Sequence, residues 1–140
     1  MQWTYQNKPV DEDSISDYVG FVYEITNLKT NRKYIGKKLL KFTRTKKVAG
    51  KTRRKKTVIE SDWKTYYGSN KELQEDVISL GEEFFQREIL RFCKSKAECS
   101  YIEAKLQFEK DVLLKPDQYY NSWISVKIHG STIRKRNENI

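Results

Sequence analysis

The stretch Gly20-Phe21-Val22-Tyr23-Glu24-Ile25-Thr26 and, after a short interval, Arg32-Lys33-Tyr34-Ile35-Gly36-Lys37-Lys38 decides how this chain folds. The first run is rich in β-branched and aromatic residues, which suit a pleated, half-buried surface. Between the two runs, Asn27-Leu28-Lys29-Thr30-Asn31 is a turn cluster, so together they predict a β-hairpin. Tyr34 follows Tyr23 by eleven positions, which brings two phenols onto adjacent strands.

The chain downstream alternates between charge and periodicity. Lys37 to Lys56 holds eleven Lys or Arg among twenty residues and no acid. The whole chain carries 28 basic and 19 acidic residues, a formal charge of +9. A block of this kind repels itself unless a polyanion neutralises it, and nucleic-acid phosphates are the usual partner. It is too polar for a core and reads as a long loop or an extended hairpin tip. Ser61 to Tyr67 reads as a short helix. Ser69 with Glu72 forms a capping box, Leu73, Val77 and Leu80 follow at helical spacing, and Gly81 is a natural stop. Phe84 to Cys93 predicts a third strand, with Phe84, Leu90 and Phe92 on one face and Phe85 and Ile89 on the other. Ser95 with Glu98 starts a long helix to about Leu114, stopped by Pro116. Tyr119 to Ile124 is an apolar packed segment, and Arg134 to Ile140 a frayed polar end. The order is β-β-α-α-β-α, an α+β chain.

The length of 140 residues suits one domain. Met1 to Tyr18 is polar and acidic without a signal-peptide pattern, and no apolar run is long enough to span a bilayer. The only cysteines are Cys93 and Cys99, read as reduced thiols in a cytosolic protein. His129 is the one histidine, which excludes a histidine-rich metal site and a two-histidine phosphodiesterase. Acid–base chemistry is left to Tyr, Lys, Glu or a metal-bound water.

With these residues in view, the chain resembles the GIY-YIG nuclease family. Gly20-Phe21-Val22-Tyr23 matches the first motif and Tyr34-Ile35-Gly36 the second. The strand ending in Glu88-Ile89-Leu90, the helix glutamates and Tyr120-Asn121 extend the likeness from about Gly20 to Asn121. The segment Ser61 to Ser69 is similar to small phage-type members. The resemblance implies a three-stranded antiparallel sheet flanked by helices, one divalent metal (Mg²⁺ or Mn²⁺), and hydrolysis of DNA, expected as duplex, in a bacterial cytoplasm. It implies a nuclease domain over residues 20–124 with the basic insert at 37–56, a polar arm at 1–19 and a basic tail at 125–140.

The resemblance also implies roles for particular residues. Tyr23 and Tyr34 would act on the phosphate, with Lys33, Lys37 and Lys38 lowering a phenol pKa from about 10. A glutamate on the long helix would hold the metal. Helical phase favours Glu109, which falls inside the apolar arc where a metal would compensate a buried carboxylate. Glu103 is the alternative. Arg44, eight residues after Gly36, lies at the expected distance for the catalytic cation on a first helix, with Lys38 or Lys64 as alternatives. Asn121 would hold the phosphate or the catalytic glutamate. DNA contacts are expected from Lys37, Lys38, Lys51, Arg53, Arg54, Lys55, Lys56, Trp63 and Lys64. The rival expectations are a catalytically inactive DNA-binding module and a basic RNA-binding protein, neither of which would need a metal.

Overall fold

In the computed structural model, which describes residues 1–47, 49–50 and 54–134, the hairpin forms as the sequence predicts. β3 (Gly20–Asn27) pairs antiparallel with β4 (Lys33–Leu39), setting Tyr23 opposite Gly36 and Ile25 opposite Tyr34. Asn27 builds the turn: its Oδ1 accepts from the backbone N–H of Lys29 at 3.0 Å and of Thr30 at 3.3 Å. Asn31 takes the left-handed conformation, φ 61°, which asparagine tolerates.

The predicted third strand is Phe85–Cys93, antiparallel on the other side of β3 and the seventh strand in chain order. It carries a bulge. Tyr23 faces Ile89 and Val22 faces Arg91, so Leu90 is an extra residue. One inserted residue reverses the faces beyond it. Phe92 therefore packs with Phe85 and Ile89, not opposite them, while Cys93 joins the other core.

The sheet is larger than three strands. β1 (Trp3–Tyr5) lies parallel beside this strand, and β2 (Lys8–Pro9) turns back antiparallel on β1. With the strand Phe85–Cys93 as β7, the order is β2-β1-β7-β3-β4, a mixed five-stranded sheet. Residues 1–19 are thus not a polar arm. Trp3 is 4% exposed, lies edge-on to Phe21 and Tyr23 with ring centroids at 5.0 and 5.4 Å, and donates from Nε1 to Trp63 O at 2.7 Å. The buried Arg87 donates to Met1 O at 2.9 and 2.7 Å.

The basic insert is a second sheet of its own. β5 (Lys41–Lys47) and β6 (Arg54–Glu60) pair antiparallel, with Phe42 opposite Ile59 and Arg44 opposite Thr57. It is an extended ribbon, as one of the two sequence readings has it.

Helices cover both faces of the main sheet. α1 (Lys71–Leu80) is capped by Asn70, one residue later than expected, whose Oδ1 accepts from Leu73 N at 2.9 Å. It buries Leu73 and Val77 against Phe21, Tyr23, Ile25 and Phe85. Ser61 to Tyr67 holds only a 3₁₀ turn, Trp63–Thr65. α2 (Lys96–Glu109) starts at Ser95 as predicted, with Ser95 Oγ accepting from Glu98 N at 3.1 Å. It packs Cys99 and Ile102 on Val22, Ile35 and Cys93. It ends at Glu109, short of Leu114, because Asp111 turns left-handed, φ 51°, before the 3₁₀ turn Val112–Leu114. α3 (Gly130–Arg134) lies in the predicted tail. No described helix is long and apolar enough to cross a membrane.

β4 is an edge strand, and the segment after α2 closes part of that edge. Lys33 N donates to Gln118 O at 2.8 Å and Tyr120 N to Lys33 O at 2.7 Å. An edge strand needs such cover for its free backbone groups.

Candidate active site

The β4 edge, the start of α1 and the middle of α2 enclose a cleft of about 440 Å³. Tyr34, Lys37, Ser69, Glu103, Asn121 and Trp123 are among the side chains that line it.

Among the described residues Glu103 is the only acid that lines the cleft. Burial pushes its carboxyl above the ordinary carboxylate value, while the Lys37 ammonium and backbone N–H draw it down. Lys37 is fixed across the cleft by donating to Ser100 Oγ at 2.6 Å, one turn before Glu103 on α2. Ser100, Glu103 and Gln107 recur at positions i, i+3 and i+7, so they share one helical stripe beside the apolar face. Gln107 Nε2 donates to Ile35 O at 3.0 Å, which ties that stripe to β4.

Asn121 is 6% exposed and grips the same residue of β4. Its Oδ1 accepts from Ile35 N at 3.1 Å and its Nδ2 donates to Ile35 O at 2.8 Å. Both amide atoms thus pin the backbone of β4.

The two tyrosines differ. Tyr34 is half-buried at the cleft, its hydroxyl 3.0 Å from Ser69 Oγ. Burial raises its phenol above the usual value, and the Ser69 hydrogen bond opposes that rise. Tyr23 is fully buried and does not line the cleft. Burial, then the neighbouring Tyr66 and Tyr34, push its phenol well up. The expected lowering by Lys33, Lys37 and Lys38 is therefore corrected. Lys33 pairs with Glu24 at 3.3 Å, Lys37 with Ser100, and Lys38 with Asp62 at 2.6 Å while its Nζ sits 4.1 Å over the Tyr66 ring. Gly36 makes the packing possible: a Cβ there would lie 2.5 Å from Tyr23 Oη and 2.9 Å from a Tyr34 ring carbon.

Several expected site residues lie elsewhere. Glu109 is exposed at the last turn of α2 and does not line the cleft. The apolar arc fails there because Gln107 is the last buried residue of α2; Phe108, next to it, is 61% exposed. Arg44 is in the middle of β5, exposed, its guanidinium 5.6 Å from the Phe42 ring. No helix follows β4 to bring it back to the cleft, because the ribbon takes that place. Trp63 is 5% exposed in the core, so it is not a DNA-facing side chain. Lys64 pairs with Glu12 at 3.1 Å and Glu60 at 3.6 Å, away from the cleft lining. Lys56 is exposed on β6. Lys51 and Arg53, and the side chains of Arg54 and Lys55, lie outside the described residues.

Gln107 and Trp123 line the cleft without having been singled out from sequence, and Ser69 lines it having been read only as a helix cap. For Gln107 a signal existed, the polar stripe it shares with Glu103 on an otherwise apolar helix face. Ser69 and Trp123 carried none.

A family model described as "Putative endonuclease segE, GIY-YIG domain" matches residues 3–124, a span that includes β1 and ends just past Trp123. No curated protein and no solved structure matches the chain.

Proposed function

The chain belongs to the GIY-YIG endonuclease family, and on that premise we propose that it hydrolyses DNA phosphodiesters in the β4-edge cleft, with Glu103 as the carboxylate for one divalent cation, Mg²⁺ or Mn²⁺. The observation that carries this reading is the meeting of a half-buried Glu103 with Lys37 and the Tyr34 hydroxyl in one open polar cleft.

The donor set fits such an ion. Among the described residues no three His, Cys, Asp or Glu side chains gather to cage a metal. Mg²⁺ accepts this arrangement, since it keeps several waters and takes one or two carboxylates together with phosphate oxygens. A half-buried carboxylate is also costly to ionise alone, and a cation offsets that cost. The bound ion would supply Lewis-acid neutralisation of phosphate charge.

The chain's own side chains do the rest. Lys37 offers a fixed positive charge to the same phosphate. Tyr34, with its raised pKa, keeps its proton at neutral pH and so serves as a hydrogen-bond donor to phosphate oxygen or to the attacking water. Tyr23 is a positioning residue, its ring packed at a tilt of 42° against Tyr34 with centroids 6.1 Å apart. Asn121 and Gln107 keep Ile35, and with it β4, in place against α2. The ribbon β5–β6 contributes phosphate contacts that hold the duplex without reading it.

The experiment is incubation of the purified chain with supercoiled plasmid and Mg²⁺ or Mn²⁺, with an EDTA control. Nicked or linear product only with metal is expected; intact plasmid with either metal, under conditions where DNA is bound, would leave a binding-only module. The observation that favours this second reading is the position of Arg44 on the ribbon, which leaves Lys37 as the cation lining the cleft.

A further inference from the structure

The chain has three tryptophans. Trp3 and Trp63 are 4% and 5% exposed, in the core, whereas Trp123 is 71% exposed. An indole of that size left in water forgoes the burial that holds the other two, and an amphipathic ring so placed is characteristic of a binding surface.

The backbone that carries Trp123 is fixed. Tyr120 donates from Oη to Asp76 Oδ2 at 2.7 Å and accepts from Asn27 Nδ2 at 3.0 Å. Its carbonyl accepts from Asn70 Nδ2 at 3.0 Å. Asn121 makes the double bond to Ile35 already described. Trp123 therefore stands two residues beyond a clamped strand edge. It lines the cleft that holds Tyr34 and Glu103, and also an adjoining groove beside Ser69, Lys71 and Tyr120. Ser69, Asn70, Ser122 and Trp123 border both, and of these the indole is the large apolar face.

We propose that Trp123 is a nucleobase-binding subsite, on which a base flanking the cleaved phosphate stacks. This rests on the reading of the cleft as the DNA-cleaving site. The lining of the cleft holds the polar and charged groups a phosphate needs, and the indole supplies the flat apolar face a base needs. Every base presents a π-face, so the contact positions the strand without selecting sequence. A base must be lifted from its stack to reach it, as with apolar wedges that kink duplexes.

The burial contrast provides the probe, because Trp123 alone among the three is open to a quencher. Wild-type protein is titrated in EDTA buffer with a short end-labelled duplex, reading binding by anisotropy and tryptophan accessibility by acrylamide quenching. Heparin, a polyanion without bases, is titrated in parallel. Bound DNA is expected to shield tryptophan from acrylamide, heparin is not, and Trp123→Ala is expected to abolish the shielding. Trp123→Ala should also weaken duplex binding by roughly tenfold to a hundredfold, the usual effect of losing one base–aromatic stack, and Trp123→Phe should restore most of it. Binding with unchanged acrylamide access, or equal shielding by heparin, overturns the subsite and leaves the cleft reading intact. Absence of any duplex binding overturns the cleft reading and the subsite with it. Thermal unfolding of both variants confirms that an exposed side chain was removed without loss of the fold.

Discussion

Glu103 is a carboxylate whose surroundings favour the protonated form. Glu103→Gln should abolish cleavage while leaving duplex binding within a few-fold, since it removes the carboxylate proposed to hold the cation and none of the basic surface; retained turnover in that variant would move the site away from Glu103. The same substitution has a consequence without any metal. A carboxyl whose folded pKa is raised contributes stability that is fully present below its unfolded value, near about 4.3, and lost as pH rises through the folded pKa. In metal-free buffer Glu103→Gln should be more stable than wild type at pH 7, and the two denaturation midpoints should converge below about pH 4. A variant less stable at pH 7 would mean that Lys37 overcompensates the burial. The tyrosines separate similarly. Tyr34→Phe should lower turnover by roughly a hundredfold, in the range for a lost proton donor. Tyr23→Phe should cost much less turnover and should lower the melting temperature, because its hydroxyl is a buried partner of Tyr66. Equal kinetic losses in both would place Tyr23 on the substrate.

Among elements, the β3–β4 hairpin was legible because its strands and its Asn-flanked turn are local features. Its tight packing gives a test: Gly36→Ala should destabilise by about 1–3 kcal/mol in chemical denaturation, the usual cost of overpacking, since the new methyl meets Tyr23 and Tyr34. A neutral effect would show that the rings can retreat. The start of α2 was legible for a similar reason, its Ser95 cap. Helical phase favours Glu109 over Glu103, yet Glu109 is exposed and Glu103 is the one that lines the cleft. Helical phase places both relative to an axis, but it does not say where the sheet beneath the helix ends. The bulge at Leu90 was invisible too, since two-residue alternation reads through an inserted residue without a mark. The ribbon was read as either loop or hairpin tip because charge hides the pairing pattern. Replacing Lys51, Arg53, Arg54, Lys55 and Lys56 together by glutamine should make the slope of log affinity against log salt shallower by up to about four to five units. Equal slopes would assign phosphate binding to other surfaces.

Across the whole molecule, the sheet depends on a segment that local patterning reads as a polar arm. β1 and β2 are too short to show a period, and what holds them is distant: Trp3 against Phe21 and Tyr23, Arg87 against Met1 O. Trp3→Ala should cost about 3–5 kcal/mol of folding free energy, as for a large buried ring. Deletion of residues 1–10 should leave a chain without a cooperative thermal transition. If the truncated chain melts like the full one, the edge strands are ornament to a core complete without them.

The parallel pairing of β1 with β7 also has a consequence in time. Trp3 faces Arg87, so β1 leaves the ribosome well before the strand it pairs with and waits for it. At roughly 5–20 residues per second the wait is on the order of 4–17 s, whereas a hairpin such as β3–β4 closes in microseconds. Throughout that interval β3 has one unpaired flank and β1 has none of its neighbours in β7. Both are open to a strand from another nascent chain. The vulnerable species in synthesis is thus the chain truncated before Phe85, whose β3–β4 hairpin and β1–β2 pair still lack the strand that joins them into one sheet.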